Sequence, residues 1–464
     1  MAIVEPSTHP WLSGVFAPVT DELTSTELRV TGTLPAGLHG AFVRNGPNPV
    51  VAPAGRYHLF DGDGMVHGLW FDGEGGVRYA NRWIRSAGFE AELAAGHALF
   101  GGLSEFRLPP PDVMAAVGPV KNTANTALVH HAGKLLALME ACPPIELTDD
   151  LDTVGPYDFG GALQGPMTAH PKIDPVTGEM VFFGYSPFPP HLRIHAADAG
   201  GALTWSTEVE LPTAVMMHDF VITATKVVVF DLPSVFDVGA MIEGGEAVRW
   251  EPDRGARIGV LERGAPGSSI RWVEVDPFWV FHFLNAHDDG DAVVVHGCRA
   301  DRLNTSFDGE ILADPARPVL HRWRIDADRG AVTEEQVGER SGDFPRIDDR
   351  RAGLEARYGY VACEPDQHGD AIGFDGLVKH DLRTGTATRA VYGAGVSSGE
   401  PVFAPDPAGT EEDHGWILNW VNDLATGESA MVVLDAGTLE EVARVHPPRR
   451  VPFGFHGAFL PAAG

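Results

Sequence analysis

Short apolar runs rich in β-branched residues recur along the chain, and polar turns separate them. Lys226-Val227-Val228-Val229-Phe230, Ala292-Val293-Val294-Val295 and Met431-Val432-Val433-Leu434 have the length and composition of strands. The intervening turns share a signature: Asp174-Pro175-Val176-Thr177-Gly178, Asp198-Ala199-Gly200-Gly201, Asp326 to Gly330, Asp381 to Gly385, and Asp435-Ala436-Gly437. Aspartate can accept hydrogen bonds from amides two or three residues ahead, and glycine tolerates positive φ, so each is a mechanistic turn signal. Asp326 and Asp381 are 55 residues apart, and Asp381 and Asp435 are 54 apart. A repeat of that length suits a four-stranded propeller blade, and 464 residues leave room for seven or eight. Phe89 to Phe100 breaks the pattern. Its Ala91, Leu93, Ala94, Ala95 and Leu99 predict a helix inserted among strands, placed to cap one end of the barrel.

The 55 glycines and 36 prolines are spread throughout without a linker-like tract, which predicts one domain over residues 1–464. There are 64 acidic against 34 basic residues, a net charge of −30, and such a field repels nucleic-acid phosphates. Three widely spaced cysteines, Cys142, Cys298 and Cys363, exclude a disulfide framework and a thiolate metal site. The first residues have neither a basic nor an apolar stretch, and no apolar run is long enough to span a bilayer. A cytoplasmic protein is therefore expected.

Among twenty histidines, four stand out by context. His170 lies in Met-Thr-Ala-His-Pro, His218 in Met-Met-His-Asp-Phe, His282 in Phe-His-Phe-Leu-Asn, and His456 in Gly-Phe-His-Gly. An imidazole without a partner is costly in such apolar surroundings. Their separations of 48, 64 and 174 residues correspond to about one, one and three blades, so equivalent positions on different blades would bring them together at the axis.

At these residues the sequence resembles the carotenoid cleavage oxygenase family, which includes stilbene-cleaving oxygenases and a retinoid isomerohydrolase. The resemblance runs from about Gly32 to Leu460. It includes Arg44-Asn45-Gly46-Pro47-Asn48-Pro49, Phe60-Asp61-Gly62-Asp63-Gly64-Met65-Val66-His67, Arg257-Ile258-Gly259-Val260, Phe344-Pro345-Arg346 and Gly399-Glu400-Pro401-Val402-Phe403, in the family's order. It implies a seven-bladed β-propeller under a helical dome, with Fe(2+) on the axis held by His170, His218, His282 and His456.

The resemblance also implies carboxylates behind three imidazoles: Glu140 on His218, Glu400 on His456 and Asp343 on His282. Asp343 replaces the family's glutamate before Phe-Pro-Arg. Its arm is one methylene shorter, so a direct bond needs a backbone adjustment or a bridging water, and Asp343 is expected to matter less than either glutamate. Thr126 matches the residue whose methyl group crowds one open metal position. Four neutral imidazoles suit iron(II) and leave two octahedral positions open. The implied reaction is cleavage of a conjugated C=C bond by O2 into two carbonyl products. Phe60, Phe100, Phe281, Phe283, Phe455 and Trp420 are candidates to line an apolar tunnel for a polyene or a stilbene. Stilbene cleavers of the family place a tyrosine and a lysine where this chain has Leu103 and Met139, so a carotenoid or apocarotenoid is expected and a lignostilbene-like substrate is the alternative. A non-catalytic propeller and an isomerohydrolase are the other readings. No protein partner is evident, and transient membrane contact through the dome stays open.

Overall fold

A computed structural model describes residues 9–303, 305–307, 312, 314–365 and 373–462. The fold is all-β with few helices, and its strands pair antiparallel throughout. Four-stranded units recur in chain order. One runs through Ala127–His131, Lys134–Leu138, Ile145–Leu147 and Thr153–Pro156. The next starts at Lys172–Ile173 and ends at Leu203–Val209. A third starts at Val221–Ile222 and ends at Arg271–Val275. Two further units share the 16-residue strand Ala331–Arg346 and so form one seven-stranded sheet. A two-stranded sheet pairs Ser234–Phe236 with Val248–Trp250, and two larger sheets join the ends of the described chain. Arg29–Gly32 pairs with Glu441–His446, and His39–Arg44 pairs with Gly457–Pro461.

The evenly spaced aspartates have a structural meaning. Asp326, Asp381 and Asp435 each close the hairpin between the third and fourth strands of a unit. Their Oδ1 atoms accept from the amides of Arg329, Thr384 and Thr438. The three β-branched runs lie in strands Lys226–Asp231, Ala292–Ala300 and Ser429–Asp435.

The predicted helix is shifted and shorter, at Ala87–Ala95. The Ser86 side chain caps its first turn, and Gly96, at φ 71°, ends it. Leu99 and Phe100 lie beyond the helix, because their amides turn back onto Glu92 Oε1. Two short helices, Pro111–Val117 and Val238–Ile242, were not legible as such, and neither buries a residue. Among the described residues no helix is long and apolar enough to cross a membrane.

The core lies between neighbouring sheets. Phe230 and Ile258 of one unit meet Phe283, Val295 and Trp323 of the next, all nearly inaccessible to solvent. Cys142, Cys298 and Cys363 are free and buried.

Candidate metal centre

The four singled-out histidines come from equivalent places in four different sheets. His170, His218 and His456 each stand one to three residues before a strand, and His282 lies within the edge strand Trp279–Asp289. That strand has register shifts between Val280 and Phe283 and between Phe283 and Asn285. Such bulges re-aim a side chain. The result is a cluster in which one nitrogen of each imidazole lies within 4.8 Å of those of the others.

Three imidazoles are fixed from behind. His282 Nδ1 lies 2.9 Å from Asp343 Oδ1, and His456 Nδ1 lies 2.9 Å from Glu400 Oε1. His218 Nδ1 bonds to Glu140 Oε1. Among the described residues no carboxylate is paired with His170. A carboxylate on Nδ1 keeps the proton there and turns the Nε2 lone pair forward. The Nε2 atoms of His170 and His218 are then 3.1 Å apart, and those of His218 and His282 3.2 Å. For His218 and His282, both held through Nδ1, lone pairs converging at this distance repel, and a cation between them removes the repulsion. With metal–nitrogen bonds of about 2.1 Å, neighbouring octahedral ligands stand about 3.0 Å apart and tetrahedral ones about 3.4 Å. The observed spacings, and the all-nitrogen donor set, fit a divalent transition ion such as iron(II).

At His170 the electrostatics agree. Burial, followed by the imidazoles of His218, His456 and His282, holds His170 well below the ordinary histidine range, so its ring is neutral. Burial also lowers His282, but the Asp343 carboxylate outweighs it and leaves the group raised. Burial alone would raise Glu400; the Arg346 guanidinium and His456 outweigh it and bring the carboxyl to about 2.

Each carboxylate has its own brace. Glu400 accepts from the Gly457 amide at 2.8 Å and stands 3.3 Å from Arg346 Nη1. Glu140 Oε2 accepts from the Tyr185 hydroxyl. Asp343 Oδ1 accepts from the Phe344 amide at 2.8 Å. The shorter arm of Asp343 was expected to make a poorer bond, yet its contact with His282 is direct and as short as that of Glu400 with His456. The backbone adjustment is visible: Phe344 has φ 51°, and the register shifts between Asp343 and Arg346. Thr126 Oγ1 donates to Asn125 Oδ1 at 3.0 Å, which fixes the threonine rotamer beside the cluster.

The histidines divide two cavities. An apolar one of about 580 Å³ reaches His218, His282 and His456, with Thr126, Leu103, Met139, Phe60, Phe100, Phe281 and Phe455 in its wall. A larger one of about 880 Å³ reaches His170, His282 and His456 from the other side and is lined by Lys172, Asp219, Asn285 and Arg346. Two of the expected tunnel residues are not in the apolar wall. Phe283 stacks on Phe230 in the core, with ring centroids 4.1 Å apart, and Trp420 stacks on Phe42. Tyr185 and Arg346 were missed as braces; nothing in a Phe-Gly-Tyr strand end or in Phe-Pro-Arg alone reveals which carboxylate lies opposite.

The family model described as "Retinal pigment epithelial membrane protein" matches residues 16–461. The chain belongs to the carotenoid cleavage oxygenase family. Within that family it is 35% identical to the carotenoid cleavage oxygenase of Mycobacterium tuberculosis, over 98% of both chains. It is also 35% identical to the carotenoid 9,10(9',10')-cleavage dioxygenase of Crocus sativus, over 97% of this chain and 89% of that one. Among solved structures, the lignostilbene dioxygenase of Pseudomonas brassicacearum superimposes with a TM-score of 0.92 at 29% identity, covering 99% of this chain and 100% of the other. A variant of the Synechocystis apocarotenoid oxygenase gives 0.87 at 26% identity, over 97% and 98%.

Proposed function

We propose that the protein is an iron(II)-dependent dioxygenase that cleaves a conjugated C=C bond of a carotenoid or apocarotenoid. One O2 is consumed, the double bond breaks, and each carbon leaves with one oxygen atom as a carbonyl. The observation that carries this reading is the cluster of four imidazoles, three oriented by carboxylates, facing a cavity walled by aromatic side chains. His170, His218, His282 and His456 would hold the iron, and Glu140, Asp343 and Glu400 would orient three of them. Iron(II) supplies the one-electron chemistry with O2 that no side chain provides. The protein binds the apolar chain, excludes water and limits access, and Thr126, in the cavity wall, would restrict the approach to the iron. In this reading the recurrent sheets close as a single-domain, seven-bladed propeller over residues 1–464, and the short helices belong to a dome around the apolar cavity. Val120 and Phe188 line that cavity yet are 43% and 64% exposed, and Met114 and Ile242 of the short helices are exposed as well. This apolar rim suits a cytoplasmic enzyme that touches a lipid surface to collect its substrate.

A lignostilbene-type activity is the second reading, favoured by the likeness to the Pseudomonas structure. Cleaving a hydroxystilbene needs a base or donor pair to draw off the phenolic proton. Leu103 and Met139 are both in the cavity wall and can do neither. Lys134 is occupied by Glu146 at 2.7 Å. The test is anaerobic purification with iron quantification, then aerobic reaction with an apocarotenal and with 4-hydroxystilbene under 18O2. The expected result is two labelled carbonyl products from the polyene and little turnover of the stilbene. A clear kcat/KM preference for the stilbene would reverse the assignment.

A further inference from the structure

The larger cavity has no part in the reaction proposed above, yet it joins the imidazole cluster to the outside. Its wall includes His39, His130 and Asp149, all exposed, as well as His170, His282 and His456. His170 is reached by this cavity and not by the apolar one. It also differs from the other three imidazoles. His218, His282 and His456 are 6%, 8% and 7% exposed and each is held by a carboxylate, whereas His170 is partly accessible and lacks one. Three cations stand in the same wall, and each is neutralised in place. Lys172 pairs with Asp219 at 2.7 Å, Arg346 with Glu400 and Asp349 at 3.3 Å, and Arg350 with Asp348 at 2.8 Å. Asp149, at the rim, is in no ion pair among the described residues.

A divalent ion entering this cavity therefore meets no unpaired positive charge, and it finds a carboxylate and two imidazoles at the rim. The apolar cavity offers it less. The carboxylates there are already engaged: Asp63 and Glu92 by Lys121, Asp61 by the amides of Leu103 and His58, and Glu140 and Asp343 by the imidazoles of His218 and His282. Phe60, Phe281 and Phe455 stand in the same wall. An ion gives up its water only where oxygen or nitrogen donors replace it, so a passage past aromatic rings is the less favourable one. We propose that the polar cavity is the route by which the metal ion enters and leaves the cluster, with His170 the imidazole it meets first. This rests on the metal-dependent function proposed above. Metal and organic substrate then use separate doors, and iron can load or exchange while a substrate-sized molecule fills the apolar cavity.

The test plugs one door at a time in the full chain. The three native cysteines are buried, so an introduced thiol can be labelled selectively. His130→Cys puts a thiol at the rim of the polar cavity, and Phe188→Cys, at a 64% exposed position, puts one at the rim of the apolar cavity. Each variant is stripped of metal and coupled to a bulky maleimide. Anaerobic Fe(2+) uptake, chelator-driven release and equilibrium Kd are then measured with and without the label. The label on His130→Cys should slow uptake and release together and leave Kd unchanged, because a plug alters the path and not the site. The label on Phe188→Cys should change neither rate. Rates unaffected by the first label, or slowed by the second, overturn the route and leave the metal centre standing. Where the first label disturbs the circular dichroism spectrum, Asp149→Lys decides. Uptake should slow about tenfold at low salt, with the difference closing as salt is raised, and unchanged uptake overturns the route. No stoichiometric iron uptake by the unlabelled wild-type chain overturns the metal-dependent function and the route together.

Discussion

The two cavities that meet at the histidines differ in the side chains that stand closest to the imidazoles. On one side are Phe60, Phe100, Phe281, Phe455 and Met139. On the other are ion pairs, Lys172 with Asp219 at 2.7 Å and Arg346 with Asp349 at 3.3 Å. His218 belongs to the apolar side, His170 to the polar side, and His282 and His456 to both. The ring of imidazoles is thus the partition between a cavity with several aromatic rings in its wall and one in which ion pairs brace the segments that carry the imidazoles. Asp219 shows how the framework holds them. Its carboxylate accepts from the amides of Phe220 and Phe283 at 2.8 Å and ties the His218 segment to the His282 strand.

Removing the partition should have the largest effect. His282→Ala or His456→Ala is expected to abolish iron loading and turnover while the circular dichroism spectrum stays that of a β-protein. Full iron with full turnover in either variant would remove that residue from the ligand set. Next is a contrast within one strand. Phe283→Ala opens the core and should cost about 3–5 kcal/mol of stability. Phe281→Ala, on the cavity wall, should cost much less and act on KM; urea melts of the two variants decide this. The carboxylates follow. Loss of such a partner typically weakens metal affinity or activity about 10–100-fold. Glu400→Ala is expected at the high end, since it also takes from Arg346 its buried counter-charge. Asp343→Ala should fall near Glu140→Ala, since its bond to His282 is direct and braced; anaerobic iron titration ranks the three. Tyr185→Phe should be smallest, about 1 kcal/mol or roughly fivefold in iron Kd. Its effect should vanish in a Glu140→Gln background if the phenol acts only through Glu140.

Much of this architecture was legible because its signals are local. Aspartate-to-glycine turns and β-branched runs announce hairpins wherever they occur. Imidazoles in apolar segments announce a site, because burying them without a partner is unfavourable. What stayed hidden depends on backbone irregularity or on pairings distant in sequence. Phe281 and Phe283 flank His282 and would share a face in a regular strand. The two register shifts around them send one to the cavity and the other to the core. The reach of Asp343 likewise depends on the left-handed turn at Phe344. Tyr185 gives no sign of its role until Glu140 is seen beside it.

The pairing of Gly457–Pro461 with His39–Arg44 has a consequence in time. His456 is made 174 residues after His282, so at about 5–20 residues per second the ribosome completes the fourth imidazole of the cluster roughly 9–35 seconds after the third. During that interval the nascent chain can present three imidazoles but neither the last strand nor the imidazole that Glu400 holds. Completion of the four-imidazole cluster is therefore a late event of biogenesis, coupled to the moment His39–Arg44 and Gly457–Pro461 find each other.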